Sequence, residues 1–199
     1  MLINRIKYLS KKLKSNFSFN YDSSKLSWFR SGGIIDIYCL VENEQELKIL
    51  LENLEDSPYF VVGAGSNLLI RDGGYRGTII KLGKSFNNIE LSEDKIYAGG
   101  AVLDVNLSKF ALNNSISKLE FYSGIPGSIG GAVKMNAGCF GSQTMDVLCE
   151  VSIITKKGIK KNLKKEKLDF SYRTSNLSKN DIVTSAIFHA KFDNKLKIK

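Results

Sequence analysis

The stretch from residue 121 to 141, FYSGIPGSIGGAVKMNAGCFG, has the residue types best suited to holding an anionic ligand. It contains six glycines and Pro126, one of the two prolines of the chain. Glycine lets a ligand approach the main chain closely, and backbone N–H groups without side-chain cover suit an anion such as a diphosphate. The candidate residues in this loop are Ser123, Gly124, Gly127, Ser128, Gly130 and Gly131. A plain tight turn between strands is the alternative interpretation.

A second stretch, VVGAGSNLLI at residues 61–70, has the same character. Its apolar flanks predict a strand that leads into a backbone-exposed turn. The residues of that turn are Gly63, Ala64, Gly65, Ser66 and Asn67. The dinucleotide fingerprint GxGxxG would need a glycine at position 68, where the chain has Leu68, so this is not a Rossmann motif.

A third candidate is Arg173, which follows Tyr172 in the segment LDFSYRTS at residues 168–175. A guanidinium group binds carboxylates through two parallel hydrogen bonds and stays charged at all relevant pH values. Arg173 is therefore a candidate anion clamp. An ordinary surface salt bridge is the alternative.

Several helices and strands must position these residues, and the first of them form a strand-helix-strand unit. Helical spacing of apolar residues predicts helices at 2–13, 44–54 and 103–113. Strands are predicted at 34–40, 59–62, 78–82, 89–91, 95–98, 147–155, 159–163 and 182–192. Residues 16–27 are polar and are predicted to be irregular, and residues 132–137 are predicted to form a small-residue helix or strand.

The chain carries a formal net charge of +9, which raises the question of nucleic acid as a partner. Seven lysines lie within residues 156–167, but no aromatic residues interleave with them as a stacking surface would need. We therefore expect a solvated hairpin there and no nucleic acid. A basic protein that binds nucleic acid without catalysis is the alternative from a different class.

The remaining composition favours a cytoplasmic protein without a metal site or a membrane span. No apolar run approaches the length of a spanning helix, and the basic N-terminus has no continuous apolar core of a secretory signal. The three cysteines, Cys39, Cys139 and Cys149, form no CxxC pair and fit reduced thiols. The single histidine, His189, lies in an alternating apolar run, which favours a strand residue over a catalytic base.

The three motifs together resemble those of the UDP-N-acetylenolpyruvoylglucosamine reductases, flavoenzymes of peptidoglycan precursor synthesis. The matching segments are VVGAGSNLLI, LEFYSGIPGSIGGAVKMNAGCFG and FSYRTS. Their order and spacing also match, and the resemblance extends from about Trp28 to Phe192.

This resemblance implies an α+β fold, namely the two-subdomain FAD-binding fold of the vanillyl-alcohol-oxidase (PCMH) type, with FAD between the subdomains. We expect an N-terminal helix and irregular segment at 1–27, a first subdomain at 28–83 and a second at 84–195. The turn at residues 63–68 and the loop at residues 123–132 would hold the diphosphate of FAD and flank its flavin ring. The implied cofactor-binding residues are Gly63, Ala64, Gly65, Ser66, Asn67, Leu68, Ser123, Gly124, Pro126, Gly127, Ser128, Gly130, Gly131, Ala132, Asn136 and Gly138.

The resemblance also implies NADPH and a UDP-sugar enolpyruvyl substrate. In the family, NADPH reduces the flavin, and the reduced ring gives a hydride to the β-carbon of the enolpyruvyl group. Negative charge then builds on the substrate carboxylate as an enolate forms, so a fixed cation stabilises the transition state more than the ground state. The position that matches the catalytic arginine is Arg173, with Tyr172 in a supporting role.

The family also has a third, substrate-binding domain, which carries a serine that protonates the α-carbon and a glutamate that assists it. The 199 residues contain no equivalent of this domain. We therefore expect FAD binding with little or no turnover by this chain alone, and association through the apolar face that the third domain covers in the family. Another flavin oxidoreductase of the same fold, acting on a small hydroxy acid or alcohol, is the alternative enzyme.

Overall fold

A computed structural model describes residues 2–198, and its N-terminal half is built on a four-stranded mixed sheet. The strands are β1 (Asn16–Asp22), β2 (Ile34–Val41), β3 (Tyr59–Val62) and β4 (Tyr75–Leu82), in the order β1-β2-β4-β3. β1 pairs antiparallel with β2, whereas β4 is parallel to both β2 and β3. Helices α1 (Leu2–Ser10) and α2 (Glu44–Leu54) accompany this sheet, and their buried leucine and isoleucine side chains join its core.

The prediction that residues 16–27 are irregular is wrong, because β1 occupies the first part of this segment. Phe17 and Phe19 lie opposite Cys39 and Ile37 of β2, and both phenylalanines pack against the core of the first sheet. The ring of Tyr21 stacks on that of Tyr38 with 4.4 Å between centroids. An aromatic residue at every second position is the period of a strand, and Asn16 and Asn20 of this strand are exposed.

The C-terminal half is built on a five-stranded antiparallel sheet. Its strands are β5 (Ile89–Ser92), β6 (Lys95–Gly99), β10 (Leu148–Ile154), β11 (Lys160–Lys164) and β12 (Ile182–His189), in the order β11-β10-β12-β6-β5. Helices α3 (Asp104–Asn113), α4 (Ile129–Lys134) and α5 (Thr144–Val147) contribute to its core. Two small pairs, β7 (Ile116–Ser117) with β13 (Lys191–Phe192) and β8 (Gly138–Cys139) with β9 (Ser142–Gln143), complete the fold.

The two sheets are joined by packing and by ion pairs. Ile154 and Ile182 come from the second sheet but are buried in the core of the first. The turn between β10 and β11 reaches α2, where Lys160 pairs with Glu44 at 2.9 Å. This basic hairpin is therefore in part a bridge between the halves of the molecule.

Most predicted elements are confirmed, with ends that shift by a few residues. The small-residue segment after the long glycine loop is the helix α4, and the strand predicted at 78–82 begins at Tyr75. His189 is an exposed strand residue, and the three cysteines are free. Among residues 2–198 no helix is long and apolar enough to cross a membrane. The domain boundaries remain predictions.

Candidate functional site

A cavity of about 450 Å³ lies where the two sheets meet. Its lining residues fall within the segments 60–64, 81–82, 100–103, 128–135 and 179–183. These segments include the end of β3, the residues just before α3, the helix α4 and the start of β12. The volume falls in the usual range of ligand pockets, about 300–1,000 Å³.

The first glycine turn begins where β3 ends, and Gly63 and Ala64 line the cavity. Gly65 has a φ of +75°, and a Cβ atom there would overlap the carbonyl oxygen of Leu26. The preceding chain also hydrogen-bonds the turn, since Trp28 donates its N–H to the carbonyl oxygen of Gly65 at 3.1 Å. The turn is therefore held in shape by the protein itself.

Residues 65–68 of this turn do not line the cavity. Ser66 is partly buried, while Asn67 is exposed and donates from Nδ2 to the sulfur of Met135 at 3.5 Å. Leu68 packs against the small cluster around Leu26 and Ile35. Residues 65–68 are thus absent from the cavity lining, although Asn67 reaches Met135, which is part of it.

The two glycine stretches touch each other at Gly63 and Ser128. A Cβ atom on Gly63 would overlap the hydroxyl oxygen of Ser128, a buried residue just before α4. The start of α4 is fixed further by backbone bonds, in which Gly130 donates to the carbonyl oxygen of Gly100 at 2.9 Å. Gly131 is open, because the nearest atom to a Cβ there would be the Ser128 hydroxyl oxygen at 3.8 Å. This region of exposed backbone fits the close approach of an elongated cofactor.

The long glycine loop before Ser128 packs against protein and is absent from the cavity lining. Ser123 and Pro126 are exposed. A Cβ atom on Gly124 would lie 2.7 Å from the ring of Phe140, and one on Gly127 would overlap a carboxyl oxygen of Asp104.

Asp104 is fully buried in the first turn of α3, and neither of its carboxyl oxygens has a hydrogen-bond partner within residues 2–198. Its backbone N–H donates to the carbonyl oxygen of Gly127 at 3.1 Å. Burial raises the pKa of this carboxyl to about 8, because transfer from water disfavours the charged form. Asp104 is thus largely protonated at neutral pH. Its carboxyl group packs against Gly127 of the glycine loop.

Three other predicted residues, Ala132, Asn136 and Gly138, make contacts within the protein near the site. Ala132 is buried in the core of the second sheet. Asn136, at φ +42°, is also buried and uses its side chain within the protein, since Nδ2 donates to the carbonyl oxygen of Ser171 at 3.0 Å. Gly138 begins β8, and its carbonyl oxygen accepts a bond from Arg173.

Arg173 and Tyr172 lie at an exposed tip outside the cavity lining. Arg173 has a φ of +57° and donates from Nη2 to the carbonyl oxygen of Gly138 at 2.9 Å. The side chain of Tyr172 is 87 % exposed, and the guanidinium lies 5.7 Å from the centre of its ring. The other N–H groups of the guanidinium remain available to a ligand at this tip.

Sequence reasoning identified Gly63, Ala64, Ser128, Gly130 and Gly131 in the cavity lining and missed the others. The missed residues include Leu103, Lys134, Lys179 and Asp181. Lys134 lies inside the glycine-rich stretch, where its charge among small and apolar residues was an available signal. Lys179 and Asp181 come from the polar segment before β12, which has no distinguishing pattern. A smaller cavity of about 280 Å³ on the second sheet, lined in part by His189 and Cys149, contains none of the predicted site residues.

The comparison with known families agrees with the position of the cavity. The sequence matches the family model described as "FAD binding domain" over residues 35–163, which is more than half of the chain. The chain belongs to this FAD-binding family. The matched region includes the first glycine turn, the long glycine loop and α4.

Relatives of known name make the resemblance more specific. The chain is 42% identical over 200 residues to UDP-N-acetylenolpyruvoylglucosamine reductase of Pelagibacter ubique, covering 100% of this chain and 66% of that protein. It is 45% identical over 177 residues to the reductase of that name from Caulobacter vibrioides, covering 87% of this chain and 59% of the relative. The chain thus spans 59–66% of the length of such relatives. The predicted resemblance to the FAD-binding part of this reductase is confirmed.

Solved structures agree on the fold. The crystal structure of UDP-N-acetylenolpyruvylglucosamine reductase (MurB) from Thermus caldophilus superposes with a TM-score of 0.81 at 31% identity, covering 94% of this chain and 65% of that one. A VAO-type flavoprotein from Myceliophthora thermophila superposes with a TM-score of 0.61 at 11% identity, covering 79% of this chain and 32% of that one. The predicted vanillyl-alcohol-oxidase type of fold is therefore confirmed.

Proposed function

We propose that this chain is the FAD-binding part of an NADPH-dependent reductase that converts UDP-N-acetylglucosamine enolpyruvate to UDP-N-acetylmuramate. The observation that carries the proposal is the contact between Gly63 and Ser128, which brings two glycine stretches together at the edge of one cavity. The 42% identity to the Pelagibacter ubique reductase extends over 100% of this chain, which includes both stretches.

The residues of the cavity suit FAD in two ways. Gly63, Ala64, Gly130 and Gly131 offer main chain without bulky side chains to the diphosphate. Leu103 and Met135 give apolar surface to aromatic rings. When bound, the flavin supplies a carrier for two electrons and a proton, as hydride, between NADPH and the substrate double bond.

Arg173 would act on the substrate rather than on the cofactor. Its guanidinium is exposed, fixed at one end by the bond to Gly138 and free to bind a carboxylate through its remaining N–H groups. Bound there, it would stabilise the charge that develops on the carboxylate as an enolate forms. Tyr172, which lies against the guanidinium, would support its orientation.

The first experiment is an absorbance spectrum of the purified chain after incubation with FAD and gel filtration. We expect flavin to remain bound, to quench the fluorescence of Trp28, the single tryptophan, and to bleach when NADPH is added without oxygen. Trp28 is suited to this because its backbone bonds the first glycine turn. A colourless protein whose fluorescence does not respond to FAD would contradict the proposal.

The exposed tip also supports a proposal about partners. Phe140 and Tyr172, near opposite ends of the Arg173 to Gly138 bond, have side chains that are 79% and 87% exposed. We expect this surface to associate with another protein surface, and a cytoplasmic location remains part of the proposal. Light scattering that reports a monomer up to high concentration would count against self-association.

A further inference from the structure

Lys134 makes a set of contacts for which neither the cofactor nor the substrate proposal accounts. Its ammonium group, at the end of α4, donates to the carbonyl oxygens of Ser178 and Lys179 at 3.0 Å and of Asp181 at 2.8 Å. Its own carbonyl oxygen accepts a bond from the hydroxyl of Ser175 at 2.9 Å. An ammonium has three donors and no acceptor, so these three carbonyls use its full capacity.

The carbonyls that Lys134 gathers belong to the turn just before β12. The turn is closed by a bond from the N–H of Asp181 to the carbonyl oxygen of Ser178 at 2.9 Å. From the opposite side, the hydroxyl of Tyr59 in β3 donates to the carbonyl oxygen of Asn180 at 2.7 Å. The turn is thus held by both sheets at once.

This turn is also one wall of the cavity. Lys179 and Asp181 line it, and so do the next residues, Ile182 and Val183. Lys134 itself lines the cavity. The position of this wall therefore depends on the bonds of Lys134 and Tyr59.

We infer that Lys134 is a positioning residue for the cofactor site, which gathers residues 178–181 so that they form the cavity wall in the shape that FAD requires. This inference rests on the proposed binding of FAD. Burial lowers the pKa of Lys134, while Asp181 opposes that effect. A partly desolvated ammonium is stabilised when all of its donors are used, as they are here.

A purely electrostatic role is the competing explanation, because FAD is anionic and Lys134 is one of the cations of the cavity. Lys179 separates the two explanations. Lys179 is an exposed residue that also lines the cavity, but Lys134 contacts only its backbone carbonyl. Lys179→Met therefore removes a positive charge near the cavity and leaves the gathered carbonyls in place.

The test compares Lys134→Met, Lys134→Arg and Lys179→Met with the unmodified chain. FAD affinity is measured by quenching of Trp28, and hydrogen exchange by mass spectrometry on peptides that contain residues 176–183. We expect Lys134→Met to weaken FAD binding by about 10-fold or more, as losing several hydrogen bonds to a charged group does, and to speed exchange at Asp181. Lys179→Met should change affinity by less than about 3-fold, because an exposed charge contributes little. Lys134→Arg should recover most of the affinity, since it keeps the charge and the donors.

Several outcomes would overturn the inference. One is unchanged affinity and exchange in Lys134→Met, and another is an equal loss in Lys134→Met and Lys179→Met. If Lys134→Met does not fold, Tyr59→Phe tests the same wall from the other side, and normal affinity and exchange in that variant would contradict the positioning role. Failure of the unmodified chain to bind FAD would instead refute the proposed function, so the two failures are distinguishable.

Discussion

The two glycine stretches look alike in the sequence but use glycine for different physical reasons. In the first turn, Gly65 has a φ of +75° and a Cβ atom there would overlap the carbonyl oxygen of Leu26, so both conformation and backbone packing require glycine. In the long stretch, Gly141 has a positive φ, but Gly124, Gly127, Gly130 and Gly131 do not. Gly124 leaves room for Phe140, and Gly127 leaves room for Asp104. Gly130 lies close to the backbone of Gly100, and Gly131 leaves its space to the cavity.

This difference teaches that a dense run of glycines does not by itself identify a ligand cradle. Of the glycines in the two stretches, only Gly63, Gly130 and Gly131 line the cavity. The other glycines allow one part of the protein to approach another. Substitutions at chosen glycines can therefore separate folding from cofactor binding.

The largest effect is expected at Gly65. Gly65→Ala combines a left-handed backbone with overlap of Leu26, and should lower the free energy of unfolding by about 3 kcal/mol or more. Gly141→Ala has the left-handed φ of +79° but no neighbour within 4 Å, so it should cost about 1 kcal/mol. Gly73→Ala has neither problem and should change stability by less than about 0.5 kcal/mol.

Urea denaturation of the three variants gives this order directly. If Gly65→Ala and Gly141→Ala were equally destabilised, the overlap with Leu26 would contribute nothing. The proposed contrast between the two stretches would then reduce to backbone conformation alone.

The second effect is a pH dependence specific to the long loop. The pKa of Asp104 is raised by burial from 3.8 to about 8, so its contribution to stability is full below pH 3.8 and is lost as the pH rises towards 8. Between these values the free energy of unfolding should fall by up to about 1.4 kcal/mol per pH unit. Asp104→Asn cannot titrate and should lack this fall.

The measurement is the free energy of unfolding of both proteins at several pH values from about 5 to 8. Their difference isolates Asp104, because the other groups titrate in both. Parallel profiles would mean that the carboxyl is solvated in solution, and that Gly127 does not pack on a neutral acid.

The third prediction concerns Gly131, where a substitution should lower FAD affinity without lowering the stability of the fold. An alanine here meets only the Ser128 hydroxyl at 3.8 Å, and alanine is a better helix former by about 1 kcal/mol. Gly131→Ala should thus leave the fold as stable or more stable, while it weakens FAD binding because its methyl group narrows the approach to the main chain. Equal FAD affinity in a titration of Trp28 fluorescence would remove Gly131 from the site.

Local patterns made most of the fold predictable. The leucine spacing of α2 and the apolar runs of β3 and β12 belong to single elements, so the sequence was enough to predict them. The alternation of Phe17, Phe19 and Tyr21 was equally local, but the polar residues between them hid it. β1 was therefore missed although its signal was present.

The candidate site was predictable only in part, because its final shape depends on contacts between distant segments. The two stretches were identified from glycine content, but their meeting at Gly63 and Ser128 joins positions that no local pattern connects. The same holds for Lys134, whose partners lie more than forty residues further along the chain. Whether the remaining predicted residues contact FAD, and whether Arg173 contacts substrate, stay predictions.

The order of strands in the second sheet has a consequence for biosynthesis. β12 lies between β6 and β10 in the sheet. One edge of β6 (residues 95–99) therefore stays unpaired until β12 (residues 182–189) has been synthesised. At translation rates of about 5–20 residues per second, a ribosome needs roughly 5 to 20 s to make the intervening chain. During that interval the hairpin of β5 and β6 has an unpaired edge. We expect the nascent chain to depend on chaperone protection at this edge, and the cofactor cavity to form only after β12 has emerged.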